Sequence, residues 1–99
     1  MRQVTYRFLA PANKDLAVAM DYYENAVPGL GLEFLDEMER TVNRILMQPE
    51  AWTRISLHHR RCRARRFPYG VIYSVEGGEV VIAAVMDLRR HPDSWKDRI

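Results

Sequence analysis

Cysteine is nearly absent from this chain: Cys62 stands alone among 99 residues. An internal disulfide is therefore excluded, and so is a cysteine-based metal site. No apolar run approaches the length of a membrane span, and nothing resembles a signal peptide, so the expected compartment is the cytosol. Repeats, low-complexity tracts and interdomain linkers are missing, which leaves a single small domain over residues 1–99. Catalytic signatures are scarce as well. There is no paired-carboxylate site, no Gly-rich phosphate loop and no nucleophile elbow. His58-His59 lacks further ligands at recognisable spacing, so neither a metal nor a cofactor is expected.

What the chain does have is segregated charge. The net value is only +2, but residues 11–50 hold eight acids and three bases, whereas residues 51–70 hold six arginines and no acid. The acids lie on what reads as the helical half and the bases on the strand half. A positive field over one surface favours nucleic acid or an acidic protein segment as partner. The plainer alternative is a solvated edge strand kept monomeric by its charge.

The densest stretch is residues 58–75. Its first half carries Arg60, Arg61, Arg63, Arg65 and Arg66; its second, Tyr69 to Val75, is β-branched and aromatic and reads as a buried strand. At a period of two, Arg61, Arg63 and Arg65 share one face, and Cys62 and Ala64 share the other. Such a row of guanidinium groups repels itself unless something negative sits on it.

The remaining elements follow from periodicity. Residues 2–9 alternate, with Val4, Tyr6 and Phe8 on one side and Thr5 and Arg7 on the other, as in a half-buried strand. A helix is expected from about Pro11 to Ala26, with Leu16, Ala19, Met20 and Tyr23 as its apolar stripe. After Val27-Pro28-Gly29, a second helix is expected from Leu30 to Gln48. Leu35, Met38, Val42 and Ile45 repeat along it, Phe34 and Leu46 flank them, and Asp36 can pair with Arg40. Ala51 to Leu57 is ambiguous, with Trp52 and Ile55 as core anchors. Strands follow at 60–66, 69–76 and 79–88, the last two joined at Gly77-Gly78. Val80 to Val85 is apolar throughout and so reads as an interior strand. The pattern β-α-α-β-β-β gives an α+β fold: a two-helix hairpin on one face of an antiparallel sheet of four to five strands, with the other face partly open.

Five clustered arginines suit phosphate or carboxylate recognition through bidentate forks. Arg89-Arg90-His91, after the interior strand, is a second basic group. RNA cleavage through the 2′-hydroxyl needs a base, an acid and cations. His58, His59 and His91 have suitable ordinary pKa values, with Tyr69 and Tyr73 as weaker candidates. A tyrosine at strand spacing is more often core, and a His pair before a strand more often loop.

The series Pro11-Ala12, Asp15-Leu16, Ala19, Tyr22-Tyr23-Glu24, Gly29-Leu30-Gly31, Phe34-Leu35, Pro49, Arg60-Arg61, Arg66-Phe67-Pro68-Tyr69, Val71, Tyr73, Ala84-Val85 and Arg89-Arg90-His91-Pro92 closing on Trp95 resembles the RelE/ParE toxins of type II toxin–antitoxin systems, also called plasmid-stabilisation proteins. The resemblance covers nearly the whole chain in order. It implies a compact toxin neutralised by a cognate antitoxin whose C-terminal segment wraps its helices and sheet, with the first strand beside the last in an antiparallel sheet. RelE-like members cut mRNA on the ribosome; ParE-like members inhibit DNA gyrase. The ribonuclease members often carry an arginine in the strand after the arginine-rich one and a tyrosine near the C-terminus. Gly70 and Trp95 stand at those places here, and neither can do the work.

The balance falls on the ParE-like side, a toxin acting by binding, with gyrase as target. Arg61, Arg63, Arg65, Arg66, Tyr69, Arg89, Arg90 and Trp95 would then carry target or antitoxin contacts. The alternative is a ribosome-dependent mRNA endoribonuclease using His91, Arg65 and Arg89. A third reading is a basic binding module without toxicity.

Overall fold

A computed structural model describes residues 4–90 and Lys96. The elements are β1 (Thr5–Phe8), α1 (Ala10–Ala26), α2 (Leu30–Met47), β2 (Thr53–Arg54), β3 (Arg60–Arg63), β4 (Tyr69–Glu76) and β5 (Glu79–Asp87). They form one five-stranded sheet in the order β1-β5-β4-β3-β2, with both helices packed on one face. The expected helical hairpin is present, and so is the placement of the first strand beside the last.

One expectation is corrected. The sheet is mixed rather than antiparallel, because β1 runs parallel to β5, pairing Thr5 with Glu79 through Phe8 with Ile82. The ambiguous segment after α2 supplies the short strand β2, which pairs Thr53 with Arg61 and Arg54 with Arg60. Helix α1 keeps the direction of the first strand, passing from Ile82, whose carbonyl accepts the Leu9 N–H, to Val85 at Asp15 and Tyr69 at Tyr23. Helix α2 returns the chain to the opposite end, where the Pro49 carbonyl meets Tyr73, and the antiparallel pairings of β2 through β5 then bring the last strand into the direction of β1.

Helix α2 is strongly amphipathic and buries Phe34, Met38, Val42 and Ile45. Met38, Val42 and Ile45 are buried as expected, and at the head of the stripe Phe34 is completely buried while Leu35 is only half-buried. Arg40 also pairs differently, reaching Glu37 at 3.5 Å rather than Asp36. On α1, Ala12 and Ala19 are buried, and Leu16, Met20 and Tyr23 pack against the same core. The helices meet closely at Gly31, where a Cβ would lie 2.8 Å from the Met20 carbonyl oxygen. The Glu24 carboxylate accepts the Gly29 and Gly31 N–H groups at 2.9 and 3.1 Å, satisfying donors that the start of α2 would otherwise leave free.

The main core lies between helices and sheet. Cys62, Val71, Tyr73, Val80, Ile82 and Val85 face Phe34, Met38 and Ile45 there. Val4 and Phe8 of the first strand segment pack on this core, as alternation predicts, whereas Tyr6 stays half exposed. A second, smaller cluster lies on the sheet face away from the helices: Ile72 and Ala84, packed by Ile55 and Met86. The two expected anchors thus separate, with Trp52 on the helix side and Ile55 on the other.

Candidate functional site

The cationic stretch does not stay together. Strand β3 ends at Arg63, not at residue 66, because Glu37 of α2 captures the chain beyond it. The buried Glu37 carboxylate accepts the backbone N–H of Arg65 and of Arg66, the latter at 3.1 Å. Burial pushes this carboxyl up, but the two N–H groups and the charges of Arg44 and Arg40 outweigh it, so the group is held below its ordinary value. Arg65 therefore leaves the row formed by Arg61 and Arg63. Arg66 turns to the helices, where it pairs with Glu33 at 2.9 Å and lies over the Phe67 ring. Arg60 donates to the Trp52 carbonyl at 2.9 Å. The expectation of a single converging row is corrected to a pair.

That pair is Arg61 and Arg63. Their strand partners are Ile72 and Gly70, which places both on the face away from the helices, while Cys62 is completely buried on the other. Among the described residues, neither has a carboxylate partner. The Arg61 stem lies across Gly70: a Cβ there would come within 3.1 Å of Arg61 Cγ and 3.2 Å of Leu88 Cδ2. Arg61 Nε is buried and, among the described residues, lacks a hydrogen-bond partner. Buried donors of this kind are uncommon and call for an explanation.

Tyr69 belongs to the helix side. Its ring stacks edge-on to Phe34 at 4.9 Å and sits near Tyr23, and burial first of all pushes its hydroxyl up to about 12. It stays protonated at neutral pH and is not a general base there. Arg89 forms a bidentate fork on Asp87, at 3.0 and 2.7 Å, and that hydrogen bonding chiefly holds the Asp87 carboxyl below its ordinary range. Arg90 lines a cleft of about 310 Å³ between α1 and the end of β5, with Lys14, Asp15 and Val18. Asp15 accepts the Val85 N–H at 3.0 Å, so it ties α1 to the sheet. His91 and Trp95 lie outside the described residues.

His58 and His59 occupy the opposite end of the sheet. They line a cleft of about 420 Å³ with Glu50, Arg60, Tyr73 and Glu76. Burial, with help from the charge of His58, pushes His59 down, and its backbone N–H donates to Ser56 Oγ at 3.1 Å. Tyr73 is pushed up to about 12 by burial and donates to the Pro49 carbonyl. The described residues do not bring a histidine, Arg65 and Arg89 to one place. Among them, no group of three or more His, Cys, Asp or Glu side chains could hold a metal ion. Nor is any helix there long and apolar enough to cross a membrane.

Glu37 is the residue shaping the cationic stretch that sequence reasoning missed. One signal was available: an acid beside Met38 on a stripe that runs through Phe34, Thr41 and Ile45 must be buried, and a buried carboxylate needs donors.

The arrangement, a helical hairpin on one face of a mixed five-stranded sheet, is shared by solved structures. The chain superposes on a protein of the chromosomal ParDE TA system from P. aeruginosa with a TM-score of 0.77, at 17% identity, over 87% of this chain and 97% of that one. At that identity the likeness establishes the fold. Among curated proteins, no sequence matches this chain. The family described as the ParE toxin of type II toxin-antitoxin system, parDE, matches residues 6–92, and the chain belongs to it.

Proposed function

We propose that this toxin acts by binding DNA gyrase in the cytoplasm, without cutting RNA, and that a cognate antitoxin neutralises it. The observation that carries this reading is the disposition of charge. Arg61 and Arg63 stand on the sheet face away from the helices without a carboxylate partner among the described residues, while Arg89 is engaged by Asp87 and Tyr69 is held protonated in the aromatic core. One exposed and one half-buried guanidinium group without a positioned base suit gripping a partner better than phosphodiester cleavage.

Expression without antitoxin tests this. DNA-damage signalling with filamentous cells is expected, together with loss of supercoiling by purified gyrase. Rapid translation arrest with codon-specific mRNA cuts would end the reading in favour of a ribosome-dependent nuclease, and normal growth would favour a non-toxic binding module. His91→Ala is expected to leave toxicity intact. The neighbouring gene is expected to encode a small protein with a DNA-binding N-terminus and an acidic or amphipathic tail.

A further inference from the structure

From the surroundings of Arg61 and Arg63 we infer that the sheet face away from the helices takes a carboxylate-bearing segment of a partner protein, and that Gly70 is the residue that positions Arg61 for it. This rests on the reading that the protein acts by binding, and it specifies the chemistry of what is bound.

Three observations select an acidic polypeptide over nucleic acid. The first is the lack of a stacking platform. Tyr69, Tyr73 and Phe67 all pack into the helix-side core, so the face around Arg61 offers Ile55, Met86 and Leu88 instead. Single-stranded nucleic acid gains much of its affinity from aromatic stacking, which the described residues of this face do not provide. The second is the sign of charge along the face. Arg61 and Arg63 sit toward the Tyr69 end of β4, whereas Glu76 and Glu79 face each other at its far end. Arg7 pairs with Glu79 at 2.9 Å, which leaves Glu76, acceptor of the Ser74 hydroxyl, as the carboxylate that a phosphate backbone running along the strands would meet; a short segment of alternating acid and aliphatic residues would not need to reach it. The third is Arg61 Nε, which is buried without an acceptor. A guanidinium fork on a carboxylate uses parallel N–H donors, and an entering carboxylate that displaces Leu88 supplies the missing acceptor.

Gly70 makes this geometry possible. The Arg61 stem occupies the space that a side chain at position 70 would take. A Cβ there would press on Arg61 Cγ at 3.1 Å and on Leu88 Cδ2 at 3.2 Å, so the Arg61 stem must shift from its seat on the strand to admit it. Arg61 and Arg63 are two residues apart, so their Cα atoms are separated by roughly 7 Å along the strand. A partner strand with acids at alternate positions matches that interval.

The test is an NMR titration of the full-length chain, observing the Ile55, Ile72 and Met86 methyls and the arginine Nε–H signals. The probes are a short peptide alternating Glu and Leu, its Lys and Leu counterpart, and a short oligothymidylate. The Glu peptide is expected to shift these signals. Arg63→Ala, a change at an exposed residue, and Arg61→Ala are each expected to weaken it about tenfold. Gly70→Ala should weaken it as much as Arg61→Ala, and the double variant should be no worse than either alone, since both act through one guanidinium. Tighter binding of the oligothymidylate, an equal response to the Lys peptide, or full affinity in Gly70→Ala would each overturn the inference. Gyrase inhibition is read separately: a chain that binds the peptide but spares gyrase sinks the choice of target and leaves this site standing.

Discussion

The two faces of the sheet handle burial in different ways. On the helix side, Phe34, Met38, Ile45 and Tyr73 are essentially inaccessible and interlock with β-branched residues of β4 and β5. On the other side, only Ile72 and Ala84 form a buried cluster, and long side chains rather than helices pack against them. Charge divides the same way. Where arginines meet the helix side they find partners: Arg44 donates to the Arg63 carbonyl and Arg66 to Glu33. On the other face Arg7 pairs with Glu79, but Arg61 and Arg63 find no carboxylate among the described residues. The contrast indicates that stability is concentrated on one face, and that the other is free to carry groups chosen for recognition.

The largest effect should come from the helix side. Phe34→Ala removes a completely buried ring that packs against Tyr23, Phe67 and Tyr69, and is expected to cost about 3–5 kcal/mol in urea unfolding. A loss as small as that of a surface change would break the comparison.

Next comes Glu37→Gln, which keeps the shape but loses the charge that holds the Arg65 and Arg66 N–H groups. It should cost about 1–3 kcal/mol at pH 7. The sign with pH follows from the depressed carboxyl. Because the folded pKa lies below the unfolded one, the stabilisation is present above the ordinary glutamate range. It is lost as pH falls through the lower, folded value. Wild type should therefore lose its advantage over the Gln variant on acidification; parallel stability curves from pH 7 to pH 3 would sink this account of the turn.

On the opposite face, Ile72→Val should cost less, about 0.5–1.5 kcal/mol, read as a shift in urea midpoint at unchanged slope. Arg63→Ala should be smallest in stability, within about 0.5 kcal/mol, since the residue is exposed. If Arg63→Ala proved more destabilising than Ile72→Val, the assignment of this face to recognition would need revising.

Much of the fold was legible because local pattern and tertiary demand agree. The stripes of α1 and α2 have helical spacing, Val80 to Val85 is apolar because it lies in the sheet interior, and Gly77-Gly78 marks the β4–β5 turn. Position 62 pointing inward between outward arginines also followed from a period of two. What stayed hidden depended on distant partners. Nothing near Arg65 in the chain says that a carboxylate from α2 will take its N–H group, so the strand looked longer and the row of cations more regular than either is. The parallel pairing of β1 joins opposite ends of the chain, Thr5 with Glu79 through Phe8 with Ile82, and no local pattern sets its direction. Arg89 looked available because its fork on Asp87 reverses within a tight turn that no periodicity announces.

The shared direction of β1 and β5 has a practical corollary for handling the protein. Val4 enters the sheet at the pole of the β4–β5 turn, and Arg90 leaves it at the other pole, about 30 Å away along the strand. A fluorescent or affinity fusion attached ahead of β1 therefore hangs beside Gly77 and Gly78, remote from Arg63. The same fusion placed after Arg90 would crowd the very corner where the guanidinium pair is offered.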